Sequence, residues 1–242
     1  CALPIFTIFN SKVEIESQME DMAAKYSKEK GVDVEVYYSN DTVAAHLATK
    51  YASKDPYTIS MVDAKDIYSL AEEHAVDLSD QDWVKDTDYA ISINGKTYGF
   101  PVSIEARGLI YNADAIKKVT GKEFKPENYK TLDEFKDLID ELKAGGMESP
   151  TGVMKEDWSL AAHFLPEVYE EQEDPDAFCH ELKDGKVDLS SNAKWNSLMD
   201  FFDVMKDNNY AKSSAISAER EVTEQKLAEG EIAFMFGGNW DW

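Results

Sequence analysis

The first hundred residues predict an α/β layer fold. Two observations carry this: strand-like and helix-like runs alternate strictly, and each helical run is long enough to cross over between parallel strands.

The runs come in order. "PIFTIF" (4–9) is a short β-rich segment. In "VEIESQMEDMAAKYSKEKG" (13–31) the apolar residues Ile15, Met19, Met22, Ala23 and Tyr26 recur at a helical period, and Gly31 stops it. "VDVEVYYS" (32–39) alternates Val32, Val34 and Val36, the period of a strand. "DTVAAHLATKYASK" (41–54) predicts a second helix, capped by Asp41 or Thr42. "YTISMVD" (57–63) predicts a third strand and "AKDIYSLAEEHA" (64–75) a third helix.

In open α/β sheets, ligands bind beyond the carboxyl ends of the strands. That singles out "NSK" (Asn10–Lys12), "SND" (Ser39–Asp41) and "DAKD" (Asp63–Asp66). Any one of them reads equally as loop polarity or helix capping. Topology makes all three converge on one edge.

"GKTYGFPVSIEARGLIYN" (95–112) opens like a hairpin, then carries Glu105 and Arg107 through an otherwise apolar stretch. A second α/β unit follows. "NADAIKKVTG" (112–121) is a short helix. "TLDEFKDLIDELKAGG" (131–146) opens with a capping box, Thr131 and Glu134, and closes at Gly145–Gly146. "WNSLMDFFDVMKDNNY" (195–210) sets Trp195, Leu198, Met199, Phe202 and Met205 at helical spacing, a core stripe. "SAEREVTEQKLAEG" (217–230) is a further helix, and "EIAFMFGG" (231–238) a strand entering "NWDW". The acidic run "EVYEEQEDPD" (167–176) reads as a solvated helix end and turn.

Composition narrows the function classes. The 242 residues are 43% hydrophobic and 12% aromatic, enough for a sizeable core. No apolar run approaches the roughly 18–20 residues of a membrane-spanning helix. A formal charge of −23 argues against nucleic acid and against anionic membrane surfaces, which need clustered cations. Two cysteines, Cys1 and Cys179, make no disulfide framework. Cys179 reads as a small half-buried apolar residue. A chain beginning at Cys1 fits a lipid-bearing cysteine or, equally, a processing product.

Chemical motifs are absent. There is no G-x-G-x-x-G, Walker loop or G-x-S-x-G elbow. The four histidines (His46, His74, His163, His180) are scattered, without H-E-x-x-H or C-x-x-C, and "DPDAF" lacks the later ligands of a calcium loop. No metal or cofactor is predicted. Asn40-Asp41-Thr42 matches a glycosylation sequon by itself.

Four stretches together carry a family resemblance. "NGKTYGFPVSIEARGLIYNADAI" resembles the first interlobe crossing of the bacterial extracellular solute-binding proteins of the maltose-binding type, the capture components of ABC sugar importers. "FTIFNSK" is similar to their first strand and ligand-side loop, "TISMVDAKDIYSL" to a later strand and helix, and "EGEIAFMFGGNWDW" to the second-lobe strand that ends at a sugar-stacking tryptophan. The resemblance runs through the whole chain. It implies a two-lobed type II periplasmic-binding-protein fold, each lobe a mixed, mostly parallel sheet flanked by helices. The first lobe would span 1–101, the crossing strand and hinge 102–107 and the second lobe 108–242, with the family's return segments missing after Trp242.

It also implies a carbohydrate ligand, an oligosaccharide, held in the cleft by hinge closure about Pro101 to Glu105. The partner would be an ABC permease, the chain a monomer at the cell surface or in the periplasm, and membrane association confined to a lipid on Cys1. A sugar offers an apolar ring face to an aromatic surface and a rim of hydroxyls to charged or amide groups. Trp240 and Trp158 are the stacking candidates, and core packing is the alternative for Trp158. Gly237 and Gly238 would turn the backbone and leave the Trp240 ring open. Asn10, Lys12, Asp41, Asp63, Lys65 and Asp66 would supply first-lobe hydrogen bonds. Glu105 and Arg107 would add theirs from the crossing strand, unless they pair with each other, and Asp157 and Asn239 would complete the second lobe. No catalytic residue is implied. Two other readings stay open: the same fold binding a polyamine or another small cation, and a glycoside hydrolase using a carboxylate pair.

Overall fold

Strand β1 (Ile5–Asn10) is the middle strand of the first sheet, with β2 (Asp33–Tyr37) on one side and β3 (Ile59–Met61) on the other, all parallel. The computed structural model from which this is read describes residues 5–39, 42–156 and 158–241. Cys1, Asp41 and Asp157, three of the predicted functional residues, lie outside the described residues. The crossovers are α1 (Glu16–Lys30) and α2 (Val43–Ala52), and α3 (Ala64–His74) follows β3. The helix–strand alternation read from periodicity is therefore present through 5–74. Parallel register, Phe9 with Tyr37 and Asn10 with Met61, brings the chain after each strand to one edge.

A hairpin comes next: β4 (Ile91–Ile93) and β5 (Lys96–Gly99) pair antiparallel. Asn94 and Gly95 turn between them with φ of 50° and 77°. A two-residue hairpin turn needs positive φ at both positions, and Asn-Gly adopts it at least cost. Residues 101–106 have no regular structure, so the strand predicted across 102–107 begins only at Arg107. The chain divides between Ile104 and Glu105 into two compact units.

In the second unit β6 (Arg107–Tyr111) leads to α4 (Ala113–Thr120), α5 (Leu132–Ala144) and the short β7 (Thr151–Gly152). A π-helical turn (Trp158–Phe164) precedes α6 (Glu167–Glu170), α7 (Pro175–Lys183), α8 (Ala193–Asp207) and α9 (Arg220–Glu229). Strand β8 (Phe234–Gly238) then runs between β6, to which it is antiparallel, and β7, to which it is parallel. The capping box of α5 is formed in full, Thr131 accepting from the Glu134 amide and Glu134 from the Thr131 amide. Asn112 caps α4 through the Ala115 amide at 2.8 Å.

The core of this unit gathers Ile116, Leu138, Ile139, Leu142, Met205 and Phe234 around β8. Leu142 is 0% exposed, and burying such a side chain stabilises by about 1.5–3 kcal/mol. Met205 joins this core, as the stripe on 195–210 predicts, with Phe202 packed against it. Cys179, predicted half-buried, is exposed. It follows the half-buried Phe178 on α7, and the next residue of a helix points about 100° away.

Candidate functional site

Each unit carries its own group of predicted residues. In the first, Asn10 ends β1 and is 0% exposed. Its Nδ2 donates to the Lys12 carbonyl at 2.9 Å, and its Oδ1 accepts from the Lys12 amide at 2.8 Å. A buried amide satisfied this way shapes the loop after β1. Asp63 precedes α3 but makes no cap bond. Its carboxylate goes instead to Lys12 Nζ at 3.2 Å and Lys65 Nζ at 3.4 Å. Lys65 also donates to Asp66 at 2.9 Å, and Asp66 is only 5% exposed.

The edge is thus a small network of two lysines and two aspartates. Burial pushes the Asp63 carboxyl up, but Lys12, and after it Lys65, outweigh this and hold it below its ordinary value. Lys65 moves up: burial works against its charge, and Asp66 and Asp63 together overcome that. Lys12, Asp63 and Lys65 reach the surface, whereas Asn10 and Asp66 are withdrawn from it.

In the second unit three aromatic rings form a row. His163 meets Trp158 edge-on, centroids 5.2 Å apart at 65°, and Trp240 at 4.6 Å and 45°. All three are half-buried. The π-helical turn positions Trp158 and His163, and the short turn after β8 (Asn239–Asp241) positions Trp240. Arg220 lies 5.6 Å from the Trp158 ring centre, within the range of a cation–π contact. The same guanidinium pairs with Glu224 and, at 3.1 Å, with Asp241. Burial first, then Asp241, pushes the Glu224 carboxyl up, although Arg220 opposes this.

Asp241 is a buried support for the row. Its Oδ2 accepts from the Gly238 amide at 3.0 Å, and its side chain is 0% exposed. The two glycines before Trp240 serve close approach. Neither has a positive φ, and both pair in register with β6. A Cβ on Gly237 would come within 2.1 Å of Asp241 Oδ2, and one on Gly238 within 2.3 Å of the Trp240 ring. The sequence reading of a backbone turn that leaves the ring open is corrected accordingly: the ring rests on the backbone of Gly238.

The remaining predicted residues lie where the second unit begins. Glu105 is exposed. Arg107, half-buried, is engaged by protein groups: its guanidinium reaches Glu167, Glu170 and the carbonyl of Ala162, all within this unit. Burial pushes the Glu167 carboxyl up despite the charge of Arg107 beside it. Asn239 brackets Ala106, its amide donating to the Ala106 carbonyl and its Oδ1 accepting from the Ala106 amide, both at 3.0 Å. Its side chain thereby fixes the start of β6 to the end of β8.

The family model for bacterial extracellular solute-binding proteins matches residues 21–242. The chain belongs to this family. Among solved structures, the solute-binding protein RafE in complex with raffinose superposes with a TM-score of 0.79 at 20% identity, over 98% of this chain and 62% of that one. Ligand-free RafE from Streptococcus pneumoniae gives 0.74 at 20%, over 100% and 63%. A sugar transporter protein from Bacillus licheniformis, in complex with stachyose, gives 0.66 at 20%, over 96% and 62%. These likenesses establish a type II periplasmic-binding-protein fold. The chain spans about three-fifths of the length of each.

Sequence reasoning missed three residues that this solute-binding protein brings to its aromatic row: His163, Arg220 and Asp241. Asp241 left a trace, an aspartate three residues beyond a glycine in "GGNWDW". His163 and Arg220 left none: the contacts that bring them to the row as a whole, His163 to Trp240 and Arg220 to Trp158 and Asp241, join distant parts of the chain.

Proposed function

We propose that this chain is the substrate-binding component of an ABC importer and that it captures a carbohydrate, an oligosaccharide. The observation that carries this reading is the row Trp158–His163–Trp240. Sugar rings present flat C–H faces, and a row of half-buried aromatic rings offers them matching apolar surface. Trp240 and Trp158 stack on the ligand. Lys12, Asp63 and Lys65 in the first unit, and Glu105 in the second, are each charged groups of the kind that hydrogen-bond sugar hydroxyls. The chain acts by binding, without turnover, as a monomer outside the cytoplasmic membrane, and delivers its ligand to a membrane permease. A lipid on Cys1 would hold it there. That RafE binds raffinose, and the Bacillus licheniformis protein stachyose, supports the choice of an oligosaccharide.

The test is a thermal-melt screen with raffinose, stachyose, chitin oligosaccharides, putrescine and spermidine. Binding to the native state alone stabilises it by about 2.7 kcal/mol at a hundredfold excess over Kd. The expected result is a selective shift with one glycan class, lost in Trp240→Ala. A shift with the polyamines and none with any glycan overturns the ligand class. Release of aryl groups from aryl glycosides, abolished in Glu105→Gln, would overturn the binding role in favour of an enzyme.

A further inference from the structure

Arg107 stands at a junction. As the first residue of β6 it pairs in register with Gly238 of β8, the residue on which the Trp240 ring rests. Its side chain leaves the sheet for the π-helical turn. Nη1 donates to the Ala162 carbonyl at 3.2 Å, Nη2 donates to both carboxylate oxygens of Glu170, and Nε lies 3.6 Å from Glu167. Ala162 is next in sequence to His163, the ring between the two tryptophans.

A helix end leaves its last carbonyls without intrahelical amides, and a charged donor placed there fixes the end in position. π-helical turns are rare and recur at functional sites. The rigid planar fork of arginine allows three directions of bonding at once, which a lysine ammonium on a flexible stem does not reproduce. With all three nitrogens engaged, the guanidinium links the sheet under Trp240 to the turn that carries Trp158 and His163.

We propose that Arg107 is a positioning residue. It locks the π-helical turn to the β6–β8 edge and so sets the placement of Trp158 and His163 against Trp240. It acts on the solute through the aromatic row and does not contact it. The affinity part of this inference rests on the carbohydrate reading; the structural part does not.

The experiment compares full chains carrying Arg107→Gln, Arg107→Lys and Glu170→Ala with the parent. Two readouts need no ligand. The first is hydrogen exchange at the Leu165 amide, which bonds the Leu160 carbonyl at 2.8 Å inside the turn. The second is the near-ultraviolet circular dichroism of the tryptophans. Loss of one charge-assisted hydrogen bond should speed exchange at Leu165 by about tenfold or more. The tryptophan signal should fall, while the amides of Met235 and Phe236 in β8 stay protected. Glu170→Ala should reproduce both changes with Arg107 still present, and Arg107→Lys should fall between.

The third readout is stachyose affinity, which should weaken in Arg107→Gln and Glu170→Ala alike. Unchanged exchange and dichroism in Arg107→Gln overturn the proposal. So does stachyose binding lost in Arg107→Gln but intact in Glu170→Ala, the signature of direct contact. If Arg107→Gln does not fold, Arg107→Lys and Glu170→Ala decide by the same readouts. If the parent binds no stachyose, or any other glycan, the carbohydrate reading fails and the exchange and dichroism results still decide the role of Arg107.

Discussion

The indole of Trp240 lies across the backbone of Gly238, so close that a Cβ there would fall 2.3 Å from two of its ring carbons. The position therefore excludes every other residue while the ring stays in place. Gly238→Ala must push the indole away, and overpacking of this kind costs about 1–3 kcal/mol. The expected outcome is a lowered Tm, a shifted tryptophan emission maximum and weakened glycan binding. Emission and Tm equal to those of the parent would refute the packing argument.

Asp63 gives an acid-sensitive contribution in the first unit. Lys12 and Lys65 hold its carboxyl below the ordinary value in the folded chain. A depressed folded pKa means stability that is present above the unfolded pKa of about 3.9 and is lost as pH falls through the folded value. Urea unfolding from pH 6 down to pH 2 should show a steeper acid limb in the parent than in Asp63→Asn. Parallel limbs would show that the network contributes nothing to pH dependence.

Leu142 is the clearest core test. It is 0% exposed within the cluster around Phe234. Leu142→Ala should destabilise the second unit by about 2–5 kcal/mol through lost burial and the cavity left behind. Chemical denaturation followed by tryptophan fluorescence measures this. A loss under about 1 kcal/mol would mean that α5 and α8 collapse into the space.

Much of the fold was legible because its signals are local. Valines at every second position announce β2, and Thr131 and Glu134 spell out the start of α5 within four residues. The alternation of periods over 5–74 predicted parallel strands without any tertiary information, but not their order β2-β1-β3. The candidate site residues were legible by type more than by partner. Trp158 and Trp240 stand out as aromatics at element ends, and they do share one surface. Arg107 stood out as a charge in an apolar stretch, yet its partner Glu170 is 63 residues away in a run that reads as plain solvated acid. Asn10 has the right chemistry for a ligand but folds onto its own loop. Periodicity reports which face is apolar; it carries no information on which distant side chain completes a hydrogen bond.

The distribution of apolar packing bears on how any binding measurement on this chain is read. Among the described residues, both clusters of buried hydrophobic side chains belong to the second unit. The first unit buries Phe9, Ala23, Leu47 and Ala71 without forming such a cluster. Heat uptake on unfolding grows with the number of residues that unfold, and the second unit, 105–242, is the larger of the two and holds both clusters. A solute gripped by the tryptophan row stabilises the unit that holds both clusters, and one resting on Lys12 and Asp63 stabilises the other. The two halves of the chain thus act as unequal thermometers, and a probe placed on the tyrosine-rich first half would be needed to hear the quieter one.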